Sequence, residues 1–161
     1  MRKKTIEDYV ELIYILQGRL GKVRTNNVAS ALDISPASVT EIFQKLNDED
    51  YINYEKYSGV SLTSKGKKIA IETKRKHDTL KKFLMILGIT EKTADGDACK
   101  IEHVVTPETM RRLTKFVDFV QKFKEGPRWL DNFEHFYKTG EYFECISGDP
   151  KDCPASKNRL S

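Results

Sequence analysis

Between Arg24 and Thr63 the chain reads RTNNVASALDISPASVTEIFQKLNDEDYINYEKYSGVSLT, and few folds accommodate that order of signals. Val28, Ala29 and Leu32 have the spacing of a short amphipathic helix, which Asp33 and Ile34 break. Ser35 is a strong N-cap and Pro36 suits a first helical position, so a second helix starts there and continues through Val39, Ile42, Phe43 and Leu46. Two β-prone stretches then flank the turn signal YSG, which predicts a small hairpin over 51–63. Helix pairs joined by a tight turn also occur in ordinary all-helical cores. The hairpin sharpens the choice: helix, turn, helix, hairpin is the order of a winged helix-turn-helix, whose second helix lies in the DNA major groove while the wing adds backbone contacts.

On that expectation the early residues of the second helix, Ser35, Pro36, Ala37, Ser38, Thr40 and Glu41, face base edges. Ala37 and Thr40 suit thymine methyls, and Glu41 can accept from cytosine. Glu41 has an equal claim to be a surface acid that touches no base. Phosphate contacts fall to Lys22, Arg24, Gln44 and Lys45 and to the wing residues Lys56, Tyr57 and Ser58. The net charge of +4 permits a nucleic-acid partner without demanding one.

The flanking segments are also helical. TIEDYVELIYILQG, from Thr5, carries apolar residues on two lines, Ile6, Val10 and Ile13 on one and Leu12 and Ile15 on another. Such a helix is packed on two sides, so Asp8 and Glu11 face something other than open water. Ser64 caps a long helix that ends at Gly88 and buries Leu80, Phe83, Leu84 and Leu87. Thr90 begins another that leads into DACKIEHVV, and Thr106 with Pro107 opens a third with a stripe of Leu113, Phe116, Val117 and Val120. The fold expected is mainly α: an N-terminal winged helix-turn-helix with a small β-hairpin wing over residues 1–70, a helical metal-binding and dimerisation domain over 71–123, and an extension over 124–161. In the extension, EGPRWLDNFEHFYKTG reads as a short helix whose Trp129, Phe133 and Phe136 pack on the dimer domain.

A length of 161 residues, 39% hydrophobic and 32% charged, fits one sizeable domain or two small ones in a globular chain. No apolar run approaches the roughly 18 residues of a membrane helix, and MRKKTIEDYV lacks the apolar core of a secretion signal. A cytoplasmic location without a membrane partner is expected. Three cysteines, Cys99, Cys145 and Cys153, make an odd count, so reduced thiols are the default and Cys99 is available as a ligand.

The stretch ACKIEHVV, from Ala98, puts a thiol, a carboxylate and an imidazole within five residues. On a continuing helix Asp95, Cys99, Glu102 and His103 share one side, and Ala94, Ala98, Ile101 and Val105 the other. Residues at i, i+3 and i+4 stand side by side, as a chelate requires. A solvated polar face with an incidental cysteine is the alternative. Further ligands are available in the acidic i, i+3 pair Asp8 and Glu11, and in His77, which could equally be a half-buried structural histidine. His135, Cys145 and Cys153 could form another thiol-imidazole site, at separations that match no familiar zinc pattern.

Together TIEDYVELIY, ISPASVTEIFQKLNDEDYINYEKYSGVSLTSKGKKIA, KRKHDTLKKFL and ACKIEHVV resemble the diphtheria toxin repressor family of metal-dependent transcriptional regulators, over about Thr5 to Phe123. The shorter, manganese-type branch is the nearer, because the chain has no room for the third, SH3-like domain of the iron-type proteins. The resemblance implies a homodimeric repressor of metal-homeostasis genes, not an enzyme, that binds double-stranded DNA at a pseudo-palindromic operator. It also implies activation by Fe²⁺ or Mn²⁺, for which Co²⁺, Ni²⁺ or Zn²⁺ can substitute. Carried over by position, Asp8, Glu11, His77, Glu102 and His103 match the manganese-type ligands, and Cys99 the iron-type thiolate. Carboxylate and imidazole suit manganese, whereas a thiolate is softer and favours later metals. Lys81 stands where relatives usually place an acid, which argues against a second metal through that face. A winged-helix regulator that answers to a non-metal signal is the competing expectation. A metal-dependent hydrolase with Glu102 as its base is more remote, since no catalytic loop accompanies it.

Overall fold

The computed structural model describes residues 1–55, 58–123 and 127–142. Its elements are α1 (Lys3–Leu20), α2 (Thr25–Leu32), α3 (Pro36–Asp48), β1 (Ile52–Glu55), β2 (Gly59–Leu62), α4 (Ser64–Ile86), α5 (Glu91–Ile101), α6 (Pro107–Gln121) and α7 (Arg128–Thr139). The chain divides into two compact units, Met1–Asp78 with Cys99–Val104, and Thr79–Ala98 with 105 onward. The division falls inside α4 rather than at residue 70, and it assigns the Cys99–Val104 segment to the DNA-binding part.

In the first unit, α2 stops at Asp33, which takes a left-handed conformation at φ 54°. Asp is among the few residues that tolerate this, so the turn needs no glycine. Ser35 then caps α3 by accepting from the Ser38 backbone N–H at 3.1 Å, with Pro36 in the first turn. The β1–β2 hairpin is antiparallel, pairing Ile52 with Leu62 and Glu55 with Gly59, and Val23 adds a bridge to Val60 at its edge. Val10, Ile13, Val28, Val39, Phe43, Leu46, Ile52, Val60 and Ala70 close one core beneath these elements. Phe43 of α3 is its hub: the rings of Tyr9 and Tyr54 meet it edge-on, at 6.5 and 5.1 Å between centroids.

Gly66, in the first turn of α4, lies against the strand entry so closely that a Cβ there would come within 2.0 Å of the Tyr51 carbonyl oxygen. Backbone cannot yield as a flexible side chain does. Gly66→Ala is therefore expected to lower the thermal midpoint, with an overpacking cost of about 1–3 kcal/mol that exceeds the roughly 1 kcal/mol gained in helix propensity. A circular-dichroism melt unchanged from the parent chain would show that α4 can move off the strand.

In the second unit, Thr106 caps α6 through the Thr109 N–H, and Met110, Val117 and Val120 are its buried residues. Leu80 is buried beside the half-buried Phe83, Leu84 and Leu87. The helix expected in the extension is α7, ended by Gly140 in a left-handed conformation. Trp129 packs on Phe116 at 5.9 Å, and Phe116 on Phe83 at 5.8 Å. Phe133 and Phe136 stay partly exposed, against Tyr137 and Tyr142. Cys145 and Cys153 lie outside the described residues, and His135 is on α7.

Candidate metal centre

Three elements of the first unit deliver the metal-capable side chains. Helix α1 carries Asp8 and Glu11 one turn apart, away from the line of Val10 and Ile13 that enters the core. Helix α4 carries His77. The third contributor departs from expectation: α5 ends at Ile101, and Glu102, His103 and Val104 form a turn closed by the Val104 N–H on the Ile101 carbonyl at 3.0 Å. The β-branched Val104 and Val105 and the proline at 107, which disfavours helical geometry at Thr106, end the helix before the expected face is complete. The turn buries the Glu102 carboxylate and leaves Val104 exposed. Asp95 belongs to the second unit, where its carboxylate pairs with Lys81 Nζ at 2.9 Å and Glu91 meets Lys81 at 3.0 Å.

Two ligand groups result, Asp8–Glu102–His103 and Glu11–His77–Glu102, each with its donor atoms within 4.8 Å of one another. Glu102 belongs to both. Its Oε2 lies 2.9 Å from His77 Nδ1, and its Oε1 lies 3.3 Å from His103 Nε2, which is itself 2.8 Å from Asp8 Oδ1. The exposed Cys99 falls in neither group, but the charges of Glu102, Asp8 and Glu11 add to burial in raising its thiol pKa, so it stands in their field.

The carboxylates are crowded. Burial raises the Asp8 pKa despite the opposing pull of His103. Burial first, and Glu102 second, push Glu11 from its ordinary 4.5 up to about 7. Because the native state holds this proton more tightly than the unfolded chain, its stabilising effect is complete below about pH 4.5 and is lost as pH rises towards 7. The metal-free protein is expected to lose stability across that window, and Mn²⁺ affinity to rise across it as ligands shed protons. Melts and metal titrations at pH 5, 6 and 7 check both signs; a metal affinity independent of pH would exclude Glu11 as a ligand.

His103 tests whether a cation fits. Its side chain is only 4% exposed, and its Nδ1 is hydrogen-bonded to Glu7 Oε2 at 2.9 Å. Its buried Nε2 faces two carboxylate oxygens, Asp8 Oδ1 at 2.8 Å and Glu102 Oε1 at 3.3 Å. An imidazole nitrogen and two carboxylate oxygens that converge in this way form a donor set that a divalent cation can occupy. The set of carboxylates and imidazoles suits Mn²⁺ or Fe²⁺. Glu7 was missed in the sequence; its place one turn before Glu11 put it on the same helical line but did not mark His103 as its partner.

The residues expected to face DNA belong to the same unit. Lys22, Arg24, Ser35, Pro36, Ala37, Ser38, Glu41, Gln44, Lys45 and Ser58 are exposed and Thr40 is half-buried. Lys56 and Tyr57 lie outside the described residues. In the free protein the Ser35 and Ser38 hydroxyls are bonded to each other at 2.8 Å, and Thr40 donates to the Pro36 carbonyl.

Residues 1–60 match the N-terminal DNA-binding domain of the iron-dependent repressors, and residues 63–130 their metal-binding and dimerisation domain. The chain belongs to the iron-dependent repressor family. The resemblance to the diphtheria toxin repressors is thereby borne out, and with it a metal-dependent DNA-binding transcriptional regulator rather than an enzyme. Among curated relatives of this repressor, the transcriptional regulator MntR of Geobacillus thermodenitrificans is 38% identical over 144 residues, 89% of this chain and all of that one. Among solved structures, the manganese regulator SloR superposes with a TM-score of 0.63 at 34% identity, over 71% of this chain and 54% of that one. A manganese-dependent transcriptional repressor in complex with manganese gives 0.65 at 27% identity, over 71% and 53%. The match thus spans about half the length of those two structures. No helix among the described residues is long and apolar enough to cross a membrane.

Proposed function

We propose that this chain is a cytoplasmic, homodimeric repressor of metal-homeostasis genes whose affinity for a pseudo-palindromic operator depends on Mn²⁺ or Fe²⁺ held by Asp8, Glu11, His77, Glu102 and His103. The convergence of His103 Nε2, Asp8 Oδ1 and Glu102 Oε1, with Glu102 shared by a second group of Glu11 and His77, is the observation that carries this reading. A bound divalent cation supplies the positive charge that the buried carboxylates lack. Asp8 and Glu11 are fixed to α1, and Glu102 and His103 to the turn after α5, so ligation by both holds that turn on α1. Helix α1 in turn meets the recognition helix α3 through Tyr9 and Phe43. Ligand binding shifts an equilibrium only through differential affinity, and the DNA-competent arrangement is the one that completes the ligand shell. Cys99, at the margin of both groups, biases the choice towards Fe²⁺ when its thiolate is recruited.

Selection from a randomised duplex pool, with Mn²⁺ or with chelator at fixed salt, tests the reading. The expected product is a pseudo-palindrome with half-sites about one helical turn apart, recovered only with metal. Enrichment of the same sequence in chelator would contradict the metal requirement. On the selected duplex, Lys45→Ala should weaken binding by a similar factor for all sequences and reduce the salt slope by about 1, as loss of one phosphate contact does. An altered sequence preference with the slope unchanged would make Lys45 a base reader instead.

A further inference from the structure

The reading above leaves one buried acid unused. Glu7 is 5% exposed, precedes Asp8, and directs its carboxylate away from both ligand groups, onto the far nitrogen of His103. A proton on Nδ1 lets the ring donate to the Glu7 carboxylate, and Nε2 is then the nitrogen turned towards Asp8 Oδ1 and Glu102 Oε1. His103 sits on the turn after α5, outside any helix. Glu7, by contrast, is held in the first half of α1 and also faces Lys3 Nζ at 3.7 Å.

We propose that Glu7 is a positioning residue that fixes the tautomer and ring orientation of His103, so that Nε2 is presented to the metal before the metal arrives. A carboxylate behind a ligating histidine raises the basicity of the coordinating nitrogen as well as orienting it. Two consecutive acids of α1 therefore have different tasks. Asp8 offers an oxygen to the ion, and Glu7 holds the imidazole that faces it. This assignment rests on His103 being a metal ligand.

The test uses the full chain with ¹⁵N-labelled histidine, first free of metal and then titrated with Mn²⁺. In the metal-free parent, at a pH where the ring is neutral, the His103 nitrogen shifts should report the Nδ1–H tautomer. Glu7→Ala should mix the tautomers and weaken Mn²⁺ binding by about 10- to 100-fold. Glu7→Gln retains an oxygen acceptor, so it should keep the tautomer and stay within several-fold of the parent; it also keeps the question answerable if the alanine variant does not fold. An unchanged tautomer and Mn²⁺ affinity in Glu7→Ala would overturn the assignment. So would equal weakening in both variants with the tautomer unmoved, which would make Glu7 a matter of charge alone. Failure of the parent chain to bind Mn²⁺ would instead refute the metal reading, and the metal-free tautomer measurement would still decide whether Glu7 orients His103.

Discussion

Glu102→Gln is expected to weaken Mn²⁺ binding by more than about 100-fold and to abolish metal-dependent DNA binding, without unfolding the chain. Alterations of residues behind the ligands cost about 10- to 100-fold, and Glu102 is itself a donor in both ligand groups, so its loss should exceed that range. The amide is close in shape to the carboxylate and preserves packing around a side chain that is 1% exposed. It also removes a buried negative charge that pushes the Glu11 and Asp8 pKa values upwards, so the metal-free variant should be at least as stable as its parent at pH 7. Calorimetric titration with Mn²⁺ beside a thermal melt reads both effects. A variant that melts lower and still binds the ion would make Glu102 a structural acid.

Phe43→Ala should cost about 3–5 kcal/mol, the range for removing a large aromatic side chain from a packed core. The ring is fully buried and is gripped from both sides, by Tyr9 of α1 and Tyr54 of β1. In a unit of this size each kcal/mol is worth about 4 to 8 °C of melting temperature. The loss should therefore show as a large fall in the first unit's transition, with DNA binding lost even at saturating Mn²⁺. Phe43→Leu keeps much of the volume and should cost far less. If Phe43→Ala melted within a degree or two of the parent, α3 would not depend on this contact with α1, and the route from metal to recognition helix would need another path.

The winged module was legible because each of its signals is local. Ser35 and Pro36 set the start of α3 and Asp33 the end of α2 without help from distant residues, and the hairpin pairs strands only a few residues apart. The candidate metal centre was legible in its residue types but not in its geometry. Asp8, Glu11, His77, Glu102 and His103 do converge, yet Glu102 and His103 were expected on the face of a continuous helix, whereas the chain turns after Ile101. Glu7 escaped notice because its partner is 96 positions away, and one acid among several on a helix carries no mark of which imidazole it will meet. Local propensity cannot report such a contact.

The most direct test is fluorescence anisotropy of the full chain on its selected duplex, under anaerobic conditions and at fixed salt, in chelator and then with added Mn²⁺ or Fe²⁺. Tight binding should appear only with metal and should vanish in Glu102→Gln at the same ion concentration. Equal affinity in chelator and in metal would leave a DNA-binding protein whose carboxylate and imidazole cluster does not control it.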